Sequence, residues 1–147
     1  MTTTVAAVQL ACPDCLTPNR VPADRLGDAP KCGKCGALLT GGAPVALDEN
    51  SFDAYVGRTQ LPVLVDFWAP WCGPCRGMAP GFERVAAELA TQVRLAKVNT
   101  DIAQGLARRM GIRSIPTLIL FKDGRETDRV SGAMDAAGLR RWIAQHP

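Results

Sequence analysis

From Val45 onward, apolar and polar positions fall into short strand-like runs alternating with helical stripes. Val45 to Leu47 predicts a short strand, with Asp48 and Asn50 placed to cap a helix of about two turns through Tyr55. L-P-V-L-V-D-F-W, residues 61 to 68, has the β-branched and aromatic bias of a buried strand. A long helix follows from about Cys72 to Ala90, with Phe82, Val85 and Leu89 at helical spacing, and Pro80 inside it predicts a kink. Val93 to Val98 reads as a strand. Asp101-Ile-Ala-Gln104 reads as a capping box that opens a helix running to Met110 and stopping at Gly111. Thr117 to Lys122, the turn Asp123-Gly124 and Glu126 to Ser131 form a hairpin pattern. Asp135 is placed to cap a last helix whose Leu139, Trp142 and Ile143 share one face. The order β-α-β-α-β-α-β-β-α implies parallel pairing across the helical crossovers and antiparallel pairing at the hairpin. The expected fold class is therefore α/β, a mixed central sheet with helices on both faces, over residues 43–147.

Residues 1–42 lack this periodicity. Cys12, Cys15, Cys32 and Cys35 fall there with Pro13, Pro18, Pro22 and Pro30, and L-L-T-G-G-A-P, residues 38–44, marks a connection. A piece of about 40 residues with so little to bury needs a metal, disulfides or a partner to hold a shape. A small N-terminal unit and linker, 1–42, is the expected division.

Composition changes this picture little. The 147 residues are 47% hydrophobic and 21% charged, with a formal charge of +3 spread over both parts. No basic surplus points to nucleic acid or anionic lipid. The stretch MTTTVAAVQLACPDC has neither the basic n-region nor the apolar h-region of a secretory leader, and no apolar run approaches a membrane span of about 18 residues. A soluble cytoplasmic monomer with no membrane partner is expected, and in a reducing compartment six cysteines point to metal binding or redox catalysis.

The outer cysteines read C-x2-C-x16-C-x2-C, a zinc-ribbon spacing. Each C-x2-C can wrap two thiolates around one side of a tetrahedral ion, and Gly33 and Gly36 loosen the second knuckle. The first knuckle has Leu16 where the second has Gly36, which weakens the match. Four protein thiolates leave no open position, so one structural zinc is expected; two structural disulfides are the alternative. Between these cysteines stand Arg20, Arg25 and Lys31 among Asp14, Asp24 and Asp28, without an aromatic residue, so nucleic-acid contact is not expected.

Cys72 and Cys75 sit differently, where a buried strand ends and a helix begins. Orphan N–H groups and the aligned dipole at a helix N-terminus favour an anion, and Pro74 is tolerated in the first turn. Bringing a thiol from its usual pKa of about 8.5 to about 7 takes roughly 2 kcal/mol, whereas a helix terminus typically supplies about 0.3–1 kcal/mol. A hydrogen bond from the Cys75 thiol to a Cys72 thiolate is the natural supplement. The chemistry expected is thiol–disulfide exchange, with Cys72 attacking a client disulfide and Cys75 resolving the mixed disulfide. A metal half-site or a buried structural thiol pair are the alternatives. Asp66 interrupts the apolar run, and burial should raise its pKa; the alternative is a solvated, edge-facing carboxylate.

V-D-F-W-A-P-W-C-G-P-C-R, residues 65–76, with Lys97-Val-Asn, G111-I-R-S-I-P-T117 and F121-K-D-G124, resembles the thioredoxin family over essentially all of residues 44–147. With the four-cysteine segment the chain is similar to the zinc-ribbon thioredoxins, the thioredoxin-2 type. The resemblance implies a thioredoxin fold preceded by a zinc ribbon, a protein-disulfide reductase, disulfide-containing client proteins, and recharging by an NADPH-dependent thioredoxin reductase without a tightly bound organic cofactor. It further implies Asp66 as proton acceptor for Cys75, with Lys97 nearby, and a cis bond between Ile115 and Pro116. Trp71, Gly73, Pro74, Ile115, Pro116 and Gly132 match the family's client-docking surface. Trp68 and Trp142 are read as packing residues, and His146 as an exposed tail residue with no ligand partner. Ser114 stands where glycine is usual and Pro70 where an acidic residue is common, which bears on client preference. A disulfide oxidase or isomerase of the same fold, or a non-enzymatic zinc-ribbon adaptor, are the competing functions.

Overall fold

The run V63-L-V-D-F-W forms the central strand of the molecule, because both of its faces are covered. The computed structural model describes residues 6–147; Met1 to Val5, part of the stretch read as lacking a leader, lie outside the described residues. A five-stranded sheet is ordered β3-β5-β4-β6-β7, with β3 Val45–Leu47, β4 Val63–Trp68, β5 Arg94–Asn99, β6 Thr117–Lys122 and β7 Arg125–Ser131. β3 and β4 run parallel to β5, and β6 is antiparallel to both β4 and β7, giving the mixed sheet expected.

Alternation along β4 sorts its side chains to two cores. Val63, Val65 and Phe67 meet Phe52, Tyr55 and Val56 of helix α1 (Phe52–Arg58) and Leu106 of α3 (Gln104–Arg109). On the other face Leu64 meets Met78, Phe82 and Val85 of α2 (Gly73–Glu88) and Leu139 of α4 (Ala136–Ala144). Asp66 falls on that second face. The Asp123-Gly124 turn between β6 and β7 has both residues left-handed, at φ 52° and 78°, as a tight hairpin requires. α4 is capped as expected, Asp135 accepting the Gly138 amide at 2.8 Å.

Three local expectations are corrected. The capping box at Asp101 does not form: α3 starts at Gln104, and its Leu106 amide is capped from outside by Glu49 Oε1 at 3.0 Å. The Asp101 carboxylate is instead engaged by Trp71. His146 has partners: its ring stacks on Trp142 with centroids 4.3 Å apart, and Nε2 lies 2.7 Å from an Asp128 carboxylate oxygen on β7. The N-terminal segment also contains a strand pair, β1 (Ala7–Ala11) antiparallel to β2 (Pro18–Pro22). Prolines at both ends of β2, with Asn19 and Arg20 between, mask it in the apolar pattern.

This ribbon packs Leu10, Val21, Leu26 and Leu39 around Cys12 and Cys32. It docks on the segment between α1 and β4. Gln60 N–H donates to the Gln9 carbonyl at 2.8 Å, the Ala11 amide donates to Thr59 Oγ1 at 3.3 Å, and Arg58 Nη1 donates to the Leu16 carbonyl at 3.0 Å. The connection is tied down as well. The buried Arg94 donates to the carbonyls of Gly41 and Ala90 at 3.1 and 3.2 Å, and a side chain at Gly42 would crowd Ala87 Cβ at 3.3 Å. The ribbon therefore meets the chain just before β4 begins, whereas Cys72 follows its end. Six strand residues separate the two poles by about 20 Å.

Candidate active site and metal centre

Cys72 is the N-cap of α2, with extended backbone, and Pro74 lies in the first turn where no intrahelical donor is lost. Its Sγ accepts the Cys75 amide at 3.2 Å, so one of the orphan donors of the helix start points at the sulfur. Cys72 and Cys75 are joined as a disulfide, with 5.2 Å between their Cα atoms. Both sulfurs therefore lie on one turn, as exchange between them requires. Cys72 Sγ is also 3.8 Å from the Ile115 carbonyl oxygen, and Ile115 packs with Ala69, Trp68 and the cysteine pair.

Asp66 is 1% exposed and lies at the register position opposite Lys97 on β5 and Leu118 on β6. Its Oδ1 has no hydrogen-bond partner among the described residues. Burial pushes this carboxyl up to about 7, with the Lys97 charge acting in the opposite, weaker sense. A group that exchanges its proton near neutrality thus sits on the strand that ends at the dithiol. The Lys97 ammonium does not form an ion pair with it among the described residues; it lies over the Trp68 ring, 4.4 Å from the centroid.

The remaining expected residues converge on the same end of the sheet. The bond between Ile115 and Pro116 is cis, and the Gly132 amide donates to the Pro116 carbonyl at 2.9 Å, which sets Gly132 beside the Ile-Pro pair. Trp71 is 67% exposed and donates through Nε1 to Asp101 Oδ1 at 3.1 Å. Gly73 and Pro74 are the first residues of α2. Sequence reasoning missed two neighbours. Asp101 fitted a helix-capping pattern equally well, and Trp68 looked like packing, because nothing in a linear pattern reveals which lysine its ring faces.

At the other pole the four outer cysteines place one sulfur each within 4.8 Å of all the others, with Cys12 to Cys35 at 3.4 Å and Cys15 to Cys32 at 3.6 Å. A tetrahedral zinc with bonds of about 2.3 Å requires sulfurs about 3.8 Å apart, so the donor set fits the ion. The two knuckles repeat one geometry. Cys12 N–H donates to the Thr17 carbonyl at 2.9 Å and Cys32 N–H to Ala37 at 2.8 Å; the amides of Leu16 and Gly36 donate back to the carbonyls of Cys12 and Cys32. Leu16 therefore takes the left-handed conformation its counterpart Gly36 takes, φ 66° against 82°. That costs a leucine about 1–2 kcal/mol. Its side chain packs against the core beneath α1, which offsets the cost and removes the mismatch expected from sequence. Amides of Asp14, Cys15 and Lys34 each point at a sulfur at 3.4 Å. Amide donation, led by that of Cys35, pulls Cys32 down to about 6. Cys35 feels a lowering from the Ala37 amide, yet the crowd of neighbouring sulfurs and burial push it up to about 12. A cation between the four sulfurs would offset the repulsion among their thiolates.

A cysteine pair at a strand–helix junction, with a buried carboxyl on that strand and a cis-proline beside the pair, defines a dithiol oxidoreductase centre. The comparisons with known proteins agree. Residues 43–145 match the family model Thioredoxin, and residues 11–37 match the model described as Thioredoxin 2, N-terminal. Thioredoxin C-3 of Corynebacterium nephridii is 40% identical over 136 residues, covering 92% of this chain and 93% of that protein, so the likeness reaches into the ribbon. Thioredoxin 1 of Synechococcus elongatus is 46% identical over 101 residues, 69% of this chain and 94% of that protein. A thioredoxin of Porphyra purpurea is 48% identical over 98 residues, 67% of this chain and 92% of that protein. The chain belongs to the thioredoxin family and is a thiol–disulfide oxidoreductase. Among the described residues no helix is long and apolar enough to cross a membrane.

Proposed function

We propose that the chain reduces disulfides in client proteins. The Cys72 thiolate attacks one sulfur of the client, the client's S–S bond breaks, and its other sulfur leaves as a thiolate. Cys75 loses its proton to Asp66, attacks Cys72 Sγ and releases the second client thiolate. Two electrons pass to the client and the protein is left with the Cys72–Cys75 disulfide. An NADPH-dependent flavoenzyme reductase returns it to the dithiol. The observation that carries this reading is the placement of Cys72 Sγ at the start of α2 under the Cys75 amide, on the same turn as its resolving partner.

Trp71, Gly73, Pro74, Ile115, Pro116 and Gly132 are assigned to client docking around the attacking sulfur. An extended client segment would bring its disulfide to Cys72 along the Ile115 backbone. Lys97 sets the charge felt by Asp66. Cys12, Cys15, Cys32 and Cys35 would hold one zinc ion; when bound it supplies a closed cross-link and no open coordination position. We assign the segment up to residue 42 to the ribbon and linker and 43–147 to the catalytic domain. We assign the protein to a reducing compartment, the cytoplasm, a reading supported by thiols kept for a metal.

Insulin reduction coupled to NADPH oxidation tests the mechanism. Cys72→Ser abolishes turnover, and Cys75→Ser accumulates clients as mixed disulfides on Cys72. Parental turnover by Cys72→Ser, or no trapped species with Cys75→Ser, would rule the mechanism out.

A further inference from the structure

Lys97 and Asp66 are cross-strand neighbours in a parallel register, on strands about 4.8 Å apart, with both side chains on the face covered by α2. Such neighbours are close enough for a direct ion pair. None is made, and among the described residues Asp66 Oδ1 is left without a partner. The ammonium has gone instead to the face of Trp68, two residues beyond Asp66 on the same strand and therefore on the same face. An ammonium over an indole is held by the ring quadrupole, and Trp is the strongest of the aromatic side chains in this respect.

From this arrangement we infer that Trp68 is a positioning residue for the exchange reaction, holding the Lys97 ammonium on its ring and off the buried carboxyl of Asp66. The inference rests on the proton role given to Asp66 above. A lysine in direct contact would pull the Asp66 carboxyl down towards its ordinary range, and a carboxylate of low pKa is a weak acceptor for a thiol proton near neutral pH. A lysine displaced to the ring keeps its charge within range without cancelling the effect of burial. The surroundings support the ring as the holder. Lys97 and Trp68 line one wall of a mostly apolar groove of about 240 Å³, with Ala46, Ile102 and Ala103 around them. Asp48, the carboxylate in that lining, is already occupied by the Ser51 hydroxyl and the amides of Asn50 and Ser51, which keep it below its usual range. Beside Asp66 in the sheet, β5 brings Lys97 and β6 brings Leu118, which does not titrate; α2, which covers this face, has Met78 in the core there and carries no charged side chain but Arg76, Glu83, Arg84 and Glu88.

The test is a double-mutant cycle read on Asp66 itself, by carboxyl carbon NMR titration of the full chain in its disulfide form. Trp68→Leu should lower the Asp66 titration midpoint by about one pH unit, as expected for a cation–π contact exchanged for a carboxylate contact. In the Lys97→Met background the same change should move it much less. Trp68→Phe keeps the packing with a weaker ring and should give a smaller shift in the same direction, which carries the test should Trp68→Leu fold poorly. Equal shifts in both backgrounds would mean that Trp68 acts through burial alone, and would overturn the inference, as would an unchanged or raised midpoint in the Trp68→Leu protein. The pH profile of insulin reduction separates the two readings. A midpoint that shifts while the rate profile stays put upholds Trp68 as holder of Lys97 and sinks the proton role of Asp66.

Discussion

Asp66 sits where burial pulls a carboxyl towards keeping its proton, while catalysis needs it free to accept one near neutral pH. Desolvation raises it to about 7, whereas the unfolded chain releases the same proton near 3.8. The folded state therefore binds more protons between those values, so its stability falls as pH rises from 3.8 to about 7 and is flat beyond. The full effect is on the order of 4 kcal/mol at pH 8. Asp66→Asn removes that loss but buries an amide with few partners, which takes back about 1–2 kcal/mol. The variant is therefore expected to be more stable than the parent by roughly 2–3 kcal/mol in urea denaturation at pH 8, and to lose that advantage below pH 4. An equal difference at both pH values would show that Asp66 does not carry the proton. Its position was legible in sequence, since a carboxylate that breaks the apolar run V-L-V-D-F-W is too costly to bury without a use. Trp68 and Leu16 were not, because a ring–ammonium contact and a left-handed leucine depend on neighbours from distant parts of the chain.

Elements were readable where both faces of the sheet bury apolar side chains. β4, β6, α2 and α4 follow from periodicity because packing enforces it. α3 starts two residues later than its capping pattern implied, since Glu49 supplies the cap from another segment and Trp71 takes Asp101. The ribbon hairpin was not readable, because its order comes from cysteine geometry and docking on residues 58–60 rather than from alternation. That geometry carries a prediction. The reduced protein should bind one zinc, and chelation should cost β1 and β2 their amide-exchange protection, because the metal holds a segment too small to hold itself. With the ribbon about 20 Å from Cys72, insulin reduction by the zinc-free protein should stay within about twofold of the loaded protein. Loss of turnover in step with zinc would show that the ribbon acts on the dithiol directly.

At the scale of the whole molecule, one strand carries two poles. The ribbon and its metal-ready sulfurs dock ahead of β4, and the dithiol follows it. Between them, the mixed pairing was foreseeable from alternating strands and helices and the terminal hairpin, whereas the strand order within the sheet was not read from the sequence. The docking of the ribbon was not, because it depends on backbone donors and on Gln60, Thr59 and Arg58, which resemble any polar loop. Arg94 shows the same limit: it looks like a strand-edge cation, yet it is buried and joins the connection at Gly41 to the end of α2 and to Tyr55. Function is assigned to the far pole, where the start of α2 would favour an anion on the Cys72 sulfur of the dithiol form. The most direct measurement is the alkylation rate of Cys72 in the reduced protein as a function of pH. The expected midpoint lies about one to two units below the roughly 8.5 of a free thiol; a midpoint at or above that of the free thiol would contradict the placement of a reactive thiolate there.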